Sequence, residues 1–381
     1  MQTRTIHHQE RGAALLIILT IIGIGAAFML ASALNKASSQ IGRDKITSVA
    51  LAQAKEALIG YAASHPTLPG SLPCPDINND GSGDTTGQNC TAYIGRLPSK
   101  QLGLPDLRDG NGECLWYALS RVFRNALPAT SRSSTSNPLN SNTAGQLNVF
   151  DNTGTQFPSP PNPVIAIVFS PGAALGTQNR LAAGAPTVCG GNNTAANYLD
   201  TATGINNATG GGTATSFISA DASSSFNDKL IYITSSQFFP PIKKRVVAEI
   251  RGKNQPPTSG LRLFYNSPVN HYYPCAANAG STGLQVTTPS CLTSGSVPFA
   301  DPSLSFDSAT LIWLTNNGWF SLASYTVAPN FQSGTTYSQQ CGVGGAGCLT
   351  VNNYTLSQAQ VTVGGVSTIV CTTNSVVLSC P

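Results

Sequence analysis

The sequence predicts an α+β fold, a long N-terminal helix (transmembrane, then amphipathic) packed on an antiparallel β-sheet head with large disulfide-closed loops. Three observations carry that expectation. Ala13 to Leu34 runs 22 residues without a charged side chain, the rest of the chain alternates strand-like segments with Gly/Pro turns, and all ten cysteines lie downstream of the apolar run.

At ~1.5 Å of rise per residue the apolar run spans a ~30 Å hydrocarbon core as a helix. A polar leader with Arg4, His7, His8 and Arg11 precedes it. The run exceeds the ~7 to 15 residues of a secretory signal core, although Ala31-Ser32-Ala33 offers a small-x-small cleavage site. An uncleaved anchor is the third reading, since basic residues favour the cytoplasmic side. Helical spacing continues from Asn35 to about Ala63, with Ile41, Ala52 and Ile59 on one face, widened by Leu51, Leu58 and Ala62. His65-Pro66 ends it, because proline cannot continue a helix. The expected organisation is therefore a leader 1–12, a membrane helix 13–34, its amphipathic continuation 35–64 and an exported head 65–381.

Charged residues make up 9% of the chain, against about 25% in ordinary soluble domains. Ser, Thr, Asn and Gly take their place, as in exported β-rich proteins. Net charge is +4, without the dense basic stripe and interleaved aromatics of a nucleic-acid surface. An even cysteine count confined to the exported part reads as disulfides formed in an oxidising compartment. No C-x-x-C occurs, and no histidine lies close enough in sequence for a zinc knuckle.

Along the head, Leu115-Trp116-Tyr117 begins a strand after a Gly/Asp/Asn turn, and Val164 to Phe169 is a buried-looking strand closed by Pro171-Gly172. Polar tracts near 129–148 and 190–225 read as exposed loops. Leu230 to Thr234 is a strand; Pro241 to Arg251 is a helix stopped by Gly252, with Ile242, Val246 and Ile250 inward and Lys243, Lys244, Arg245 and Arg251 on a solvated basic face. Trp313 to Pro329 alternates like a strand and is rich in aromatics, while Gly364-Gly365 between two valine-rich runs signals a two-residue hairpin.

Asp76, Asn78, Asp80, Ser82 and Asp84 place oxygens at alternate positions with Gly81 sixth, the first two-thirds of a calcium loop. The twelfth position is Gly87 rather than Glu, so an EF-hand is not supported and a metal-free Asx-rich turn competes with weak Ca2+ binding completed by Glu113 or Asp109. Cys74 and Cys90 bracket the loop. No G-x-S-x-G elbow, H-E-x-x-H helix or phosphate loop appears. His65 and His271 each stand alone. Gly342 to Gly347 satisfies G-x-G-x-x-G but lies between Cys341 and Cys348 with no βαβ unit around it. An enzyme is not expected.

Arg11-Gly12 abutting the apolar run resembles the class III leader of type IV pilins and of type II secretion pseudopilins. Asp109-Gly-Asn-Gly112 followed by Tyr117 is similar to the Asp-x-Trp-Gly-x-x-x-x-Tyr turn of major pseudopilins, with Asn111 in place of Trp. The resemblance covers roughly the first sixty residues and this turn. It implies cleavage after Gly12 by a prepilin peptidase, Ala13 as mature first residue, anchorage in inner-membrane lipid with a periplasmic head, and other pilin or pseudopilin subunits as partners, without nucleic acid. The family carries Glu at mature position five, where this chain has Ile17; members lacking that Glu tend to sit at the filament tip, in assembly or surface contact. A membrane-anchored or secreted adhesin unrelated to filaments is the alternative. Closeness in sequence predicts the disulfides Cys341 with Cys348, Cys371 with Cys380 and Cys275 with Cys291; the C-terminal loop resembles those that close many pilin heads.

Overall fold

A computed structural model describes residues 11–159, 162–181, 188–210, 215–252, 258–267, 273–279, 283–287, 291–331 and 354–370. The fold is mixed α+β, with antiparallel sheets and disulfides. Helix α1 (Arg11–Ser64) is followed by a short hairpin of β1 (Thr85–Thr86) and β2 (Asn89–Cys90), then β3 (Ile94–Arg96), β4 (Trp116–Leu119), β5 (Leu147–Phe150), β6 (Gln156–Phe157) and β7 (Val164–Ser170). A second short hairpin pairs β8 (Thr201–Ala202) with β9 (Ile205–Asn206), ahead of β10 (Thr215–Ile218) and β11 (Lys229–Thr234). Helices α2 (Ser235–Arg251) and α3 (Gly260–Asn266) lead to β12 (Ser294–Ser296), α4 (Ser308–Asn316), α5 (Trp319–Leu322), β13 (Ala323–Phe331), β14 (Tyr354–Val363) and β15 (Val366–Val370).

Two sheets divide the head where one was expected. In the first, β7 is central: β11 pairs antiparallel on one side, with Lys229 opposite Ser170, and β4 antiparallel on the other, with Trp116 opposite Phe169. β3 lies beyond β4, while β5 meets the start of β7 at Leu147 opposite Val164. β10 then runs parallel to β5, a departure from the all-antiparallel expectation. Every residue of β7 is buried, as its continuous apolar sequence requires of a strand covered on both faces. Ile165 and Val168 join the main core with α1, and Ile167 and Phe169 join a smaller core with Trp116, Tyr198 and Phe217.

The second sheet is the antiparallel ladder β12-β13-β14-β15. Its β14–β15 hairpin turns at Gly364 and Gly365, φ 51° and 85°, the left-handed backbone that a type I′ turn demands. Trp313, Trp319 and Phe320, expected in a strand, sit in α4 and α5. Their burial explains the misreading, since large aromatics fill this core whichever backbone carries them. Asp307 caps α4 by accepting the Thr310 amide at 2.9 Å.

Helix α1 packs on the head through Leu51, Leu58, Ile59 and Ala62, as its periodicity suggested, but the contact begins later and turns away from Ile41 and Ala52. Thr47, Ala50, Leu51, Ala54, Leu58, Ile59 and Ala62 are buried, whereas Ala52 is exposed and Ile41 is 69% exposed. The true stripe follows i, i+3, i+4, i+7 from Thr47. Among the described residues no helix is long and apolar enough to cross a membrane; the side chains of 11–28, where most of the transmembrane reading falls, lie outside them, including Gly12, Ala13 and Ile17.

Helix α2 starts six residues before the expected Pro241, with Pro240 and Pro241 inside it. The Gln237 side chain accepts the Thr234 amide at 3.2 Å across its first turn, which fixes the start that the prolines obscured. Gly252, φ 99°, ends it as expected. The basic residues are not simply solvated. Lys243 Nζ donates to the Gly364 carbonyl at 3.1 Å, and Arg245 Nη1 donates to the Ala63 and His65 carbonyls at 3.0 and 2.9 Å. Arg245 thus closes the C-terminus of α1, where helical carbonyls lack partners.

The tract 129–148 is not a free linker. Arg132, Leu139 and Asn140 are buried in it, and Asn317 Oδ1 accepts the Leu139 amide at 2.8 Å. The tract 190–225 carries β8, β9 and β10 rather than irregular loop alone.

Candidate functional site

Three stapled segments converge where α1 meets the first sheet: the Asp76 loop, the Asp109 turn and the stretch from Val188 to Tyr198. Disulfides join Cys74 to Cys90, Cys114 to Cys189 and Cys275 to Cys291. The last is the pairing expected from sequence, and the first closes the bracket seen around the acidic loop. Cys341, Cys348, Cys371 and Cys380 lie outside the described residues, as do His271 and the Gly342–Gly347 loop.

In the acidic loop the predicted cation ligands turn toward backbone amides. Asp76 Oδ1 accepts the amides of Asn79 and Asp80 at 2.6 and 3.3 Å, and Oδ2 that of Gly81 at 2.7 Å. Asp84 Oδ2 accepts from Ile77 and Asn78 at 2.6 and 3.2 Å. Asn78 Oδ1 takes the Asp80 amide and Asp80 Oδ1 the Ser82 amide, at 3.0 and 2.8 Å. These are Asx turns stacked on one another. Burial raises the Asp76 pKa above the usual carboxylate value, with the amides pulling the other way. Among the described residues no group of three or more His, Cys, Asp or Glu is placed to hold a metal. Glu113, a suggested completing ligand, instead lies 3.2 Å from the Arg180 guanidinium. Asp109, the other, is spent in its own turn.

That turn is a latch on α1. Asp109, 3% exposed, accepts the Asn111 and Glu113 amides at 2.8 and 3.0 Å through Oδ1. Through Oδ2 it accepts the Ser170 hydroxyl and the Gly172 amide at 2.8 and 2.9 Å, which ties the turn to the end of β7. The Gly110 amide donates to Thr47 Oγ1 at 3.0 Å. A Cβ at Gly110 would fall 2.2 Å from the Arg43 carbonyl oxygen, so only glycine lets the turn reach the helix backbone. A second tie joins α1 to the acidic loop: Gln101 donates to the Tyr61 hydroxyl at 3.0 Å and accepts the Gly83 amide at 2.8 Å.

Asn79, in the left-handed region at φ 64°, carries the acidic loop onto the third segment. Its carbonyl accepts the Val188 amide and its Oδ1 the Cys189 amide, each at 3.0 Å. Beside it, Arg96 is 2% exposed and stacked between Trp116 and Tyr198, 4.9 and 4.4 Å from their ring centres, and Arg180 lies 4.9 Å from the Tyr198 ring. Burial lowers the Arg96 pKa, against the stabilising influence of Tyr198 and of the Glu113 and Asp76 charges; the aromatic faces also favour its guanidinium. Further along, burial first and the Asp200 charge second push the Asp228 carboxyl up to about 8.

Sequence reasoning found the acidic loop, the Asp109 turn and one disulfide. It missed Arg96, Arg180, Asp200 and Asp228, whose partners lie tens of residues away and leave no local pattern. Neither a family model, nor a curated protein, nor a solved structure matches this chain.

Proposed function

We propose that this chain is a minor pilin-like or pseudopilin-like subunit of a bacterial type IV filament or type II secretion system, anchored in the inner membrane by the apolar start of α1 and presenting a periplasmic head. The observation that carries the reading is the division of α1. Its last third packs on the head, while Met29, Leu34, Ile41, Ile46 and Val49 are exposed large apolar residues upstream of or opposite that contact. Apolar side chains repeated along a helix that outruns its own head need lipid or neighbouring helices to cover them. The leader at Arg11-Gly12 and the Asp109 turn, here seen clamping helix to head, support the same reading.

Ile17 in place of Glu makes the subunit a low-copy tip or initiating component. A fifth-position carboxylate pairs with a neighbour's terminal amine, a pairing strengthened in low dielectric, and Ile17 cannot make it. Immunogold labelling of isolated filaments tests this. The reading expects gold at filament ends and in the membrane fraction; uniform dense labelling along filaments, or a freely soluble protein, would contradict it.

A further inference from the structure

On its second face the first sheet packs against Tyr198, Leu199 and Ala208, and side-chain hydrogen bonds fasten the stretches 172–181, 188–210 and 219–228 around them. Asp200, just before β8, and Asp228, just before β11, lie at their centre, 5% and 4% exposed. Asp228 Oδ2 accepts the Asp200 amide at 2.8 Å and the Asn207 side-chain amide at 3.0 Å. Asn207 in turn accepts the Ile218 amide at 2.8 Å and donates to the Ile218 carbonyl at 3.0 Å, which fastens the end of β10. Asp200 Oδ2 accepts the Asn227 amide at 2.7 Å, and Oδ1 accepts from Gln178 Nε2 at 2.8 Å. Four strands and the 173–180 stretch therefore meet on two carboxyl groups.

One atom does not fit an ionised pair. Asp228 Oδ1 is buried and has no hydrogen-bond partner, and a bare charged oxygen beside a second carboxylate is costly. The Arg180 charge favours the ionised form of both carboxyls, against burial, but that cation is shared with other partners. Arg180 is engaged with Glu113 and the Gly172 and Asn197 carbonyls, and the Lys229 ammonium lies 2.6 Å from Asp44 on α1. A proton on Oδ1 would remove the charge and leave Oδ2 free to accept both amides.

We propose that Asp200 and Asp228 hold one proton between them, carried on Asp228 at neutral pH, and that its loss loosens the 195–208 stretch and the end of β10, giving the head a pH-responsive face. Burial raises both carboxyls, and the Asp200 charge raises Asp228 further, up to about 8. The sign follows from linkage. Between the ordinary carboxylate value near ~4 and a folded value near 8 the opened segment releases a proton that the closed one keeps, so closure weakens as pH rises through that window and levels off above it.

Hydrogen exchange of the full chain in detergent, corrected for intrinsic rates, reads this directly. Protection of the Asn207, Ile218 and Asn227 amides should fall between pH 5 and 8 by up to about tenfold per unit. Asp228→Asn keeps an acceptor oxygen without titrating, and its protection should fall much less than that of the wild type, with only the Asp200 share of the slope left. Asp200→Asn removes the neighbouring charge and should move the upper end of the window to lower pH. Parallel slopes in wild type and Asp228→Asn would overturn the proposal. So would slowing of exchange by calcium at pH 8 in wild type alone, which would place a cation on the bare oxygen. Should Asp228→Asn fail to fold, the carboxyl carbon-13 shift of Asp228 in the wild type decides: a midpoint above about 6 supports the proposal, and one at the ordinary value near ~4 ends it.

Discussion

Replacing Asp109 by alanine should cost the head a large share of its stability and free α1 from it. The carboxylate accepts four hydrogen bonds, from Asn111, Glu113, Ser170 and Gly172. A hydrogen bond to a charged group is worth about 1.5 to 3 kcal/mol, and donors left buried without an acceptor cost about 1 to 3 kcal/mol each. The four are not additive, since water can enter the space left by the side chain, so the loss expected is about 3 to 5 kcal/mol, the range for removing a buried charged partner. Asp109→Asn keeps one oxygen for two of the donors but turns an NH2 toward the other two, and should lose about half as much. Urea unfolding of the full chain in detergent measures both, with the slope m unchanged if only stability moves. Faster exchange of the α1 amides from Thr47 to Leu58 should accompany the loss, because Gly110 no longer holds Thr47. An Asp109→Ala cost below about 1 kcal/mol, within the ordinary effect of a single substitution, would refute the latch.

Four further outcomes follow. Leu58→Ala, at a fully buried position on α1, should cost about 2 to 5 kcal/mol, whereas Ile41→Ala, 69% exposed, should stay within about 0.5 kcal/mol in unfolding yet reduce cross-linking to neighbouring subunits in membranes. Replacing Cys114 and Cys189 by serine opens a 75-residue loop and should cost about 4 kcal/mol by loop-closure entropy, read by melting under matched conditions. Millimolar calcium should leave the melting temperature unmoved, since amides already occupy the loop carboxylates; a rise lost in an Asp76→Ala, Asp80→Ala variant would show instead a cation loop. Burial, with Arg245 nearby, lowers the His65 pKa, so the unfolded chain takes up a proton first. Its contribution is present above the unfolded value near ~6.5 and is lost as pH falls, and His65→Gln should remove that part of the acid-side slope.

Local signals were legible in the sequence where one element decided its own shape. β7 showed itself as an unbroken apolar run, the β14–β15 hairpin as Gly-Gly between valine-rich arms, and the end of α2 as Gly252. Signals failed where tertiary packing chose among equivalent faces or backbones. Apolar residues line α1 on more than one side, so periodicity alone could not say that Thr47 and Ala54 face the head while Ile41 and Ala52 do not. Pro240-Pro241 hid a helix start that a side-chain bond from Gln237 secures. The functional geometry was half legible: Asp109-Gly-Asn-Gly announced a turn, but its grip on Ser170 and Gly172 spans some sixty residues. Asp200 and Asp228 gave no signal, because a buried carboxyl pair looks in sequence like two ordinary loop aspartates.

The central claim, a processed and membrane-held pilin-like subunit, is tested most directly by N-terminal sequencing of the mature protein from the membrane fraction of a bacterium with an active prepilin peptidase. The account predicts a start at Ala13, and retention of the leader when the peptidase is absent. A start at Leu34, or an intact Met1 in the presence of the peptidase, would contradict it.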